Sequence, residues 1–180
     1  MSKLAIIKGD ITEVEVDAIV NSSNTNLLGY ANGNGVTATI LKKGGGDILK
    51  ACKQVIIKKG SLLPGEAVLT TAGKLQAKKI IHTVGPIWND GQSQEEILLT
   101  NCYDNALQLA VEHGLSSIAF PNISTGFYKF PIEIAAEIAI GTCQWFLKKE
   151  EGKILQKVLI VCHNEANYKQ CMLALEKSKH

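Results

Sequence analysis

The sequence predicts an α/β fold in which helices cover both faces of one sheet. Segments with strand character alternate with segments of helical periodicity along most of the chain, which is typical of a helix-covered sheet. Residues 18–20 are apolar at successive positions, so both faces of their strand are predicted to be buried in a central, parallel position. Glycines and small polar residues follow several strands, where ligands of open α/β sheets bind.

Short apolar runs bounded by glycine, asparagine or proline predict the strands. The first begins almost at once, and the second ends in a run of asparagine and serine. Gly73 separates the third strand from the fourth, which fits a turn between neighbours. The predicted strands cover residues 4–8, 17–21, 67–71, 79–84, 117–121 and 158–162.

Helical spacing of apolar residues, together with cap signals, predicts the helices. Glycines 44–46 break the first helix from the second, which Asp47 is predicted to cap. Gly114 is placed to end the third helix, and Pro131 to start the fourth in its first turn. The predicted helices cover residues 36–43, 47–58, 94–113, 131–149 and 166–177.

The length and composition predict one domain spanning residues 1–180 with a substantial core. The chain has 180 residues, of which 46% are hydrophobic, and no apolar run approaches the roughly 18 residues of a membrane span. No signal peptide is recognisable, so we expect a cytoplasmic monomer without a membrane partner. The five cysteines are widely spaced and include no C-x-x-C pair, which predicts free thiols and neither a metal site nor another cofactor.

The charge pattern restricts how this chain could hold a phosphate. All 19 basic residues are lysine and none is arginine, while the net charge is only +2. Without a guanidinium fork, phosphates would be bound mainly by backbone N–H groups and helix N-termini. The lysine pairs are scattered, which favours solvated faces over a nucleic-acid track, although single-stranded or poly-adenine binding stays as a minor alternative.

Two glycine loops at strand ends are the strongest candidates for an anion site. In the first, Gly33-Asn34-Gly35-Val36 precedes a helix, where bare N–H groups can face an anion. In the second, Ser124-Thr125-Gly126 is followed by Phe127 and Tyr128, which could wall a ribose. Neither loop matches the P-loop or G-x-G-x-x-G patterns, so ATP hydrolysis and dinucleotide binding are not predicted.

Several polar residues near the strand ends admit two interpretations each. Asp10 is either a turn cap or an acceptor for an amino group such as that of adenine. Asn21 and Asn24 are either turn residues or ligands of ribose hydroxyls. His82, inside an apolar run, favours a hydrogen-bonded structural histidine over a catalytic base, whereas His163 could stack on a base.

Together these segments resemble the macro domain, an ADP-ribose-binding module, almost from end to end. The order and spacing of five motifs carry the resemblance, which is strongest to the MacroD-type branch that hydrolyses ADP-ribosyl esters and O-acetyl-ADP-ribose. The resemblance implies a three-layer α/β/α sandwich around a mixed sheet of about six strands. The motifs are Gly9-Asp10-Ile11-Thr12, Val16 to Asn24, Gly65-Glu66-Ala67, Ile81 to Pro86, and Phe120 to Gly126.

The resemblance also implies residue roles around ADP-ribose or an ADP-ribosylated protein as the partner. Asp10, with Ile11 beside it, would hold the adenine amino group, and His163 would lie against the base. Gly35-Val36 and residues 124–127 would give N–H groups to the two phosphates. Asn24 and Tyr128 would face the distal ribose.

The first loop departs from the family pattern where the resemblance places catalysis, at Asn24 and Thr37. The loop is about two residues longer, and Thr37 stands where the family has an aspartate that helps to activate or orient the attacking water. A threonine hydroxyl is not a general base near neutral pH. The competing hypotheses are therefore a hydrolase that works weakly or without the aspartate and a reader that binds ADP-ribose without catalysis.

Overall fold

The structure is a computed structural model that describes residues 3–29 and 33–179. Its strands are β1 (Leu4–Lys8), β2 (Ala18–Ser23), β3 (Ala67–Thr71), β4 (Lys79–Val84), β5 (Ser117–Phe120) and β6 (Lys157–Cys162). Its α-helices are α1 (Val36–Gly44), α2 (Gly46–Lys59), α3 (Glu95–Glu112), α4 (Ile132–Lys148) and α5 (Glu165–Lys177). Short 3₁₀ turns cover Ile11–Glu13 and Glu151–Ile154.

The strands form one mixed sheet in the order β1-β6-β5-β2-β4-β3. Every neighbouring pair is parallel except β3 and β4, which are antiparallel. The predicted mixed, six-stranded sheet is therefore confirmed. β2 lies between β5 and β4 and is parallel to both, as its apolar residues predicted.

Two helical layers cover the sheet, one on each face. Alternate side chains of β2 are buried against the two layers. Ala18 and Val20 are fully buried in the core formed with α3, α4 and α5, whereas Ile19 is buried in the core formed with α1 and α2. Successive side chains of a strand point to opposite faces, so one apolar run supplies both cores. The three-layer α/β/α arrangement follows from this division.

The caps of two helices differ from the prediction. Gly45, whose φ is +84°, separates α1 from α2, so α2 begins at Gly46 and Asp47 lies in its first turn instead of capping it. Pro131 is the N-cap of α4, which begins at Ile132, whereas the prediction placed Pro131 inside the first turn of the helix. Gly114 follows α3 with a φ of +65°, as predicted for a C′ glycine.

The five cysteines are free thiols and all are buried, as predicted. Burial raises the pKa of Cys52 and of Cys102 to about 11, so neither is a thiolate near neutral pH. Among the helices in residues 3–29 and 33–179, none combines the length and apolar character needed to cross a bilayer.

Candidate functional site

A cleft of about 380 Å³ lies at the carboxyl ends of β1, β2, β5 and β6. Residues at the end of each of these strands, or just after it, line the cleft together with the start of α1. The two glycine loops, the Asp10 turn and the His163 segment therefore converge here. The predicted site residues in its lining are Asp10, Ile11, Asn34, Gly35, Val36, Thr37, Ser124, Thr125, Gly126, Phe127, Tyr128 and His163. Asn21, Asn24 and Gly33 lie outside the lining.

Asp10 stands at one end of the cleft, where β1 and β6 finish side by side. The Gly9 N–H donates to the Cys162 carbonyl at 3.0 Å, which brings Asp10 and His163 to the same edge. Oδ1 of Asp10 accepts from the backbone N–H and the hydroxyl of Thr12, at 2.9 and 2.6 Å. Both readings of this residue therefore hold geometrically, because the carboxylate caps the 3₁₀ turn and also lines the cleft.

Lys43 of α1 gives the Asp10 carboxylate its charge partner, with Nζ 2.7 Å from Oδ2. Burial alone would raise the pKa of Asp10, but the hydrogen bonds from Lys43 and Thr12 outweigh it and hold that pKa at about 2. The group is therefore an ionised, acceptor-only carboxylate near neutral pH. A ligand at this end of the cleft must offer it a hydrogen-bond donor.

The first turn of α1 opens into the middle of the cleft. Its N-cap is Gly35, with a φ of +90°, and no side chain caps the helix there. The leading N–H groups of a helix lack intrahelical acceptors, and the helix dipole adds partial positive charge. With Gly35 and Val36 in the lining, this end of α1 is suited to an anion such as a phosphate.

The second glycine loop faces α1 and is held by its own backbone. The Phe130 N–H donates to the Ser124 carbonyl at 3.0 Å, and the Trp88 N–H donates to the Tyr128 carbonyl at 2.9 Å. Ser124 has a φ of +64°, which is uncommon for a residue with a side chain. Gly85 makes this turn possible, since a Cβ there would lie 2.1 Å from Ser124 Oγ.

Three buried polar atoms of the lining have no protein partner. They are Ser23 Oγ, Ser124 Oγ and Asn167 Oδ1, and no other such side-chain atom occurs in the described parts of the chain. Buried polar groups are normally hydrogen-bonded, so their concentration here indicates a site that binds polar groups. Asn167 was not predicted as a site residue. The one sequence feature that marks it is its position three residues after Asn164, the N-cap of α5.

Asn21, a predicted site residue, lies beneath the cleft lining and not in it. β2 continues to Ser23, so Asn21 stays within the strand and pairs in register with His82 of β4. Its Nδ2 contacts His82 Nδ1 at 3.1 Å, and its Oδ1 accepts from the Thr37 hydroxyl at 2.9 Å. Both ends of the amide are therefore hydrogen-bonded to protein groups.

Asn24, another predicted site residue, is hydrogen-bonded within its own loop. Its Nδ2 donates to the Gly29 carbonyl at 2.8 Å, and the Gly29 N–H returns a bond to Oδ1 at 3.3 Å. The amide is thereby committed to the turn and stands outside the cleft lining. The loop residues Tyr30, Ala31 and Asn32 that follow lie outside the described residues.

His82 is fully buried and hydrogen-bonded, in agreement with the structural interpretation. Its Nε2 lies 2.7 Å from the Thr70 hydroxyl and 3.7 Å from Cys52 Sγ, while Asn21 contacts the other ring nitrogen. Burial lowers the pKa of His82 from its ordinary 6.5 to about 4. The ring is therefore neutral near pH 7.

Acidification is expected to destabilise the fold through His82. The unfolded chain binds a proton near pH 6.5 and the folded chain only near pH 4, so the free energy of unfolding falls as pH falls between these values. The full loss is about 3 kcal/mol. Asp10 and Asp17, with pKa values of about 2 against 3.8, add a loss only below about pH 4.

Urea denaturation at a series of pH values measures this dependence. His82→Gln is expected to flatten the curve between about pH 7 and 4. An unfolding free energy that stays constant over this range in the wild-type protein would contradict the prediction.

Comparison with known proteins identifies the family. The Macro domain family model matches residues 20–139. The chain belongs to the Macro domain family. A macro domain-containing protein of Listeria monocytogenes is 50% identical over 167 residues, 93% of each chain. A protein of Klebsiella pneumoniae named O-acetyl-ADP-ribose deacetylase is 49% identical over 160 residues, 89% of each chain.

Solved macrodomains share the fold of this macro domain closely. The Oceanobacillus iheyensis macrodomain with ADP has a TM-score of 0.89 at 39% identity, over 98% of this chain and 91% of that chain. The Trypanosoma brucei macrodomain in complex with ADP-ribose has a TM-score of 0.83 at 33% identity, over 96% of this chain and 69% of that chain. The resemblance drawn from the sequence motifs is thus confirmed at the level of family and fold.

Proposed function

We propose that this macro domain binds ADP-ribose in the cleft and hydrolyses O-acetyl-ADP-ribose or ADP-ribosyl esters of proteins. The observation that carries the binding proposal is the convergence of an ionised acceptor, Asp10, and two anion-suited backbone segments on one cleft. Adenine offers an N–H donor for the carboxylate, and a pyrophosphate offers two anions for Gly35-Val36 and residues 124–127. Together these groups suit a nucleoside diphosphate.

The absence of arginine from the sequence is consistent with this mode of binding. Backbone N–H groups at the start of α1 and in the second loop can hold the pyrophosphate without a guanidinium group. The exposed ring of Phe127 and the half-buried Tyr128 lie next to that loop and could wall the distal ribose. The relatives named O-acetyl-ADP-ribose deacetylase and the neighbours with ADP or ADP-ribose support the same ligand class.

Calorimetric titration tests the binding proposal. ADP-ribose is expected to bind more tightly than AMP or ribose 5-phosphate, because only the whole ligand engages both the Asp10 end and the two phosphate segments. A glutamate control far from the cleft, Glu137→Ala on α4, is expected to bind like the wild type. No heat with ADP-ribose at millimolar concentration would refute the proposal.

A reader without catalysis remains the second candidate, and Thr37 is the observation that favours it. Its hydroxyl is buried and donates to Asn21, so it is neither free nor basic enough to deprotonate water. Hydrolysis would then depend on the substrate's own phosphate as the base. Turnover of O-acetyl-ADP-ribose above the buffer rate by the wild-type protein would exclude the reader.

Thr37→Asp tests whether hydrolysis is limited by the missing carboxylate or by the conformation of the longer first loop. If the loop is otherwise competent, the carboxylate is expected to raise the rate of hydrolysis by about 10²- to 10⁴-fold, the contribution of a positioned general base. The side chain would face Asn21 Oδ1 and the Ser22 carbonyl, so the Asn21 amide must turn to receive it. No gain in rate, with unchanged ADP-ribose affinity, would instead show that the longer loop is incompatible with this mechanism.

Nucleic-acid binding in the same cleft is distinguished by salt. Neutralisation of several phosphates by lysines would make affinity for poly-adenine fall steeply with salt concentration. We expect ADP-ribose to bind with little salt dependence and to be displaced poorly by poly-adenine.

A further inference from the structure

A chain of hydrogen-bonded side chains runs from the cleft lining to the far side of the sheet. It begins at Thr37 on α1 and passes through Asn21 on β2 and His82 on β4 to Thr70 on β3. The successive contacts measure 2.9 Å, 3.1 Å and 2.7 Å, and all four side chains are at least nine-tenths buried. Of these four residues only Thr37 lines the cleft, so it is the member of the chain that a ligand can contact.

The last contact of the chain sets the direction of every proton in it. The Thr70 hydroxyl has two partners, the Thr71 carbonyl at 3.0 Å and His82 Nε2 at 2.7 Å. Because a carbonyl can only accept, the hydroxyl satisfies both partners at once when it donates to the carbonyl and accepts from Nε2–H. A neutral ring with its proton on Nε2 has an acceptor at Nδ1, which receives the Asn21 Nδ2–H. The Asn21 oxygen is then left to accept from Thr37.

We propose that this relay holds the Thr37 hydroxyl proton inward, so that Thr37 Oγ1 offers the cleft acceptor lone pairs only. Thr70, His82 and Asn21 are then positioning residues for Thr37. The group that Thr37 recognises is an O–H donor, either a hydroxyl of the distal ribose or the water that attacks the ester. The identity of that ligand rests on the proposed function, whereas the direction of the relay does not.

The proposal gives Thr37 a role that a general base does not fill. An acceptor can orient a water or a ribose hydroxyl without removing its proton. A reversed relay, with the proton on His82 Nδ1 and the Asn21 amide turned, would make Thr37 the acceptor of an inward bond. The Thr37 hydroxyl would then donate its hydrogen either to the Ser22 carbonyl, 3.3 Å away, or to a group in the cleft.

Thr70→Val tests the direction of the relay from a residue outside the cleft. The variant keeps the side-chain shape but removes the oxygen that accepts from Nε2–H and leaves only the weak acceptor Cys52 Sγ, 3.7 Å away. The ring proton is therefore expected to move to Nδ1 and the relay to reverse. Long-range ¹H–¹⁵N spectra of the histidine ring report which nitrogen carries the proton. The wild type and Thr70→Ser are expected to be protonated at Nε2, and Thr70→Val at Nδ1. A wild-type ring protonated at Nδ1 overturns the proposal.

Ligand measurements on the same variants test the effect on Thr37. Thr70→Val is expected to cost about 3- to 10-fold, the value of one hydrogen bond, while the buried control Thr142→Val on α4 costs nothing. A loss in ADP-ribose affinity identifies a ribose hydroxyl as the donor, and a loss in kcat at constant KM identifies the water.

A double-mutant cycle with Thr37→Val shows whether the effect passes through Thr37. In the Thr37→Val background, Thr70→Val is expected to have no further effect on binding or turnover. An equal loss in both backgrounds overturns the proposal. If the wild type neither binds nor hydrolyses an ADP-ribosyl ligand, the proposed function fails, and the ring spectra still decide the direction of the relay.

Discussion

Asp10→Ala is expected to weaken ADP-ribose binding by about 10- to 100-fold, the value of a hydrogen bond to a charged group. The carboxylate is ionised because Lys43 and Thr12 hold its pKa at about 2 against the effect of burial. It therefore has only acceptors to offer, which matches the amino group of adenine. Calorimetry with ADP-ribose measures the loss, and ribose 5-phosphate is expected to show none because it lacks the base.

The controls for Asp10 separate the ligand contact from the turn and from the ion pair. Glu13→Ala removes the second acidic partner of Lys43, at 2.9 Å, without touching the cleft, and is expected to bind like the wild type. Asp10→Asn can keep the cap on Thr12 but loses the charge, so an intermediate affinity is expected. Because the pKa lies at about 2, ADP-ribose affinity should not change through Asp10 between about pH 5 and 8. Wild-type affinity in Asp10→Ala would show that the base is not held here.

Gly85→Ala is expected to lower both stability and ADP-ribose affinity although Gly85 is not part of the cleft lining. The added Cβ would lie 2.1 Å from Ser124 Oγ and 2.8 Å from Ile123 Cγ2, so the second glycine loop must move. Overpacking of this kind costs about 1–3 kcal/mol of folding free energy. If residues 124–127 bind a phosphate, the loss of one charge-assisted hydrogen bond lowers the affinity for ADP-ribose by about tenfold or more.

Gly141→Ala is the matched control for this substitution. Gly141 lies within α4, and a Cβ there would meet nothing within 4 Å. Alanine is favoured over glycine inside a helix by about 0.5–1 kcal/mol, so this variant should be slightly more stable and bind normally. Thermal denaturation and ADP-ribose titration of both variants give the comparison. Full affinity in a destabilised Gly85→Ala protein would argue against a phosphate at the second loop.

The sheet could be predicted because its signals are local and agree with one another. The apolar run of β2 has no polar face, which permits only a central strand, and glycines mark the ends of α1 and α3. The start of α2 was misjudged because Asp47 is a good cap in isolation, whereas the neighbouring Gly45 can adopt a positive φ and places the turn two residues earlier.

The site was harder to predict where a side chain's partner is distant in sequence. The prediction ended β2 at Asn21, which placed that amide at the end of the strand. In the structure β2 pairs with β4 for two further residues, so Asn21 lies inside the strand, opposite His82. Lys43 reaches Asp10 across 33 positions, and no local pattern announces that pairing. Asn167 escaped notice for the same reason, since its place in the cleft depends on how α5 packs beside β6.

A crystal structure of the protein with ADP-ribose tests the proposed binding mode most directly. We expect the adenine between Asp10 and His163, the pyrophosphate against the N-terminus of α1 and residues 124–127, and the distal ribose beside Tyr128. An oxygen of that ribose, or an ordered water next to it, should lie within hydrogen-bond distance of Thr37 Oγ1. Electron density for ADP-ribose outside the cleft, or with its phosphates away from both backbone segments, would contradict the account.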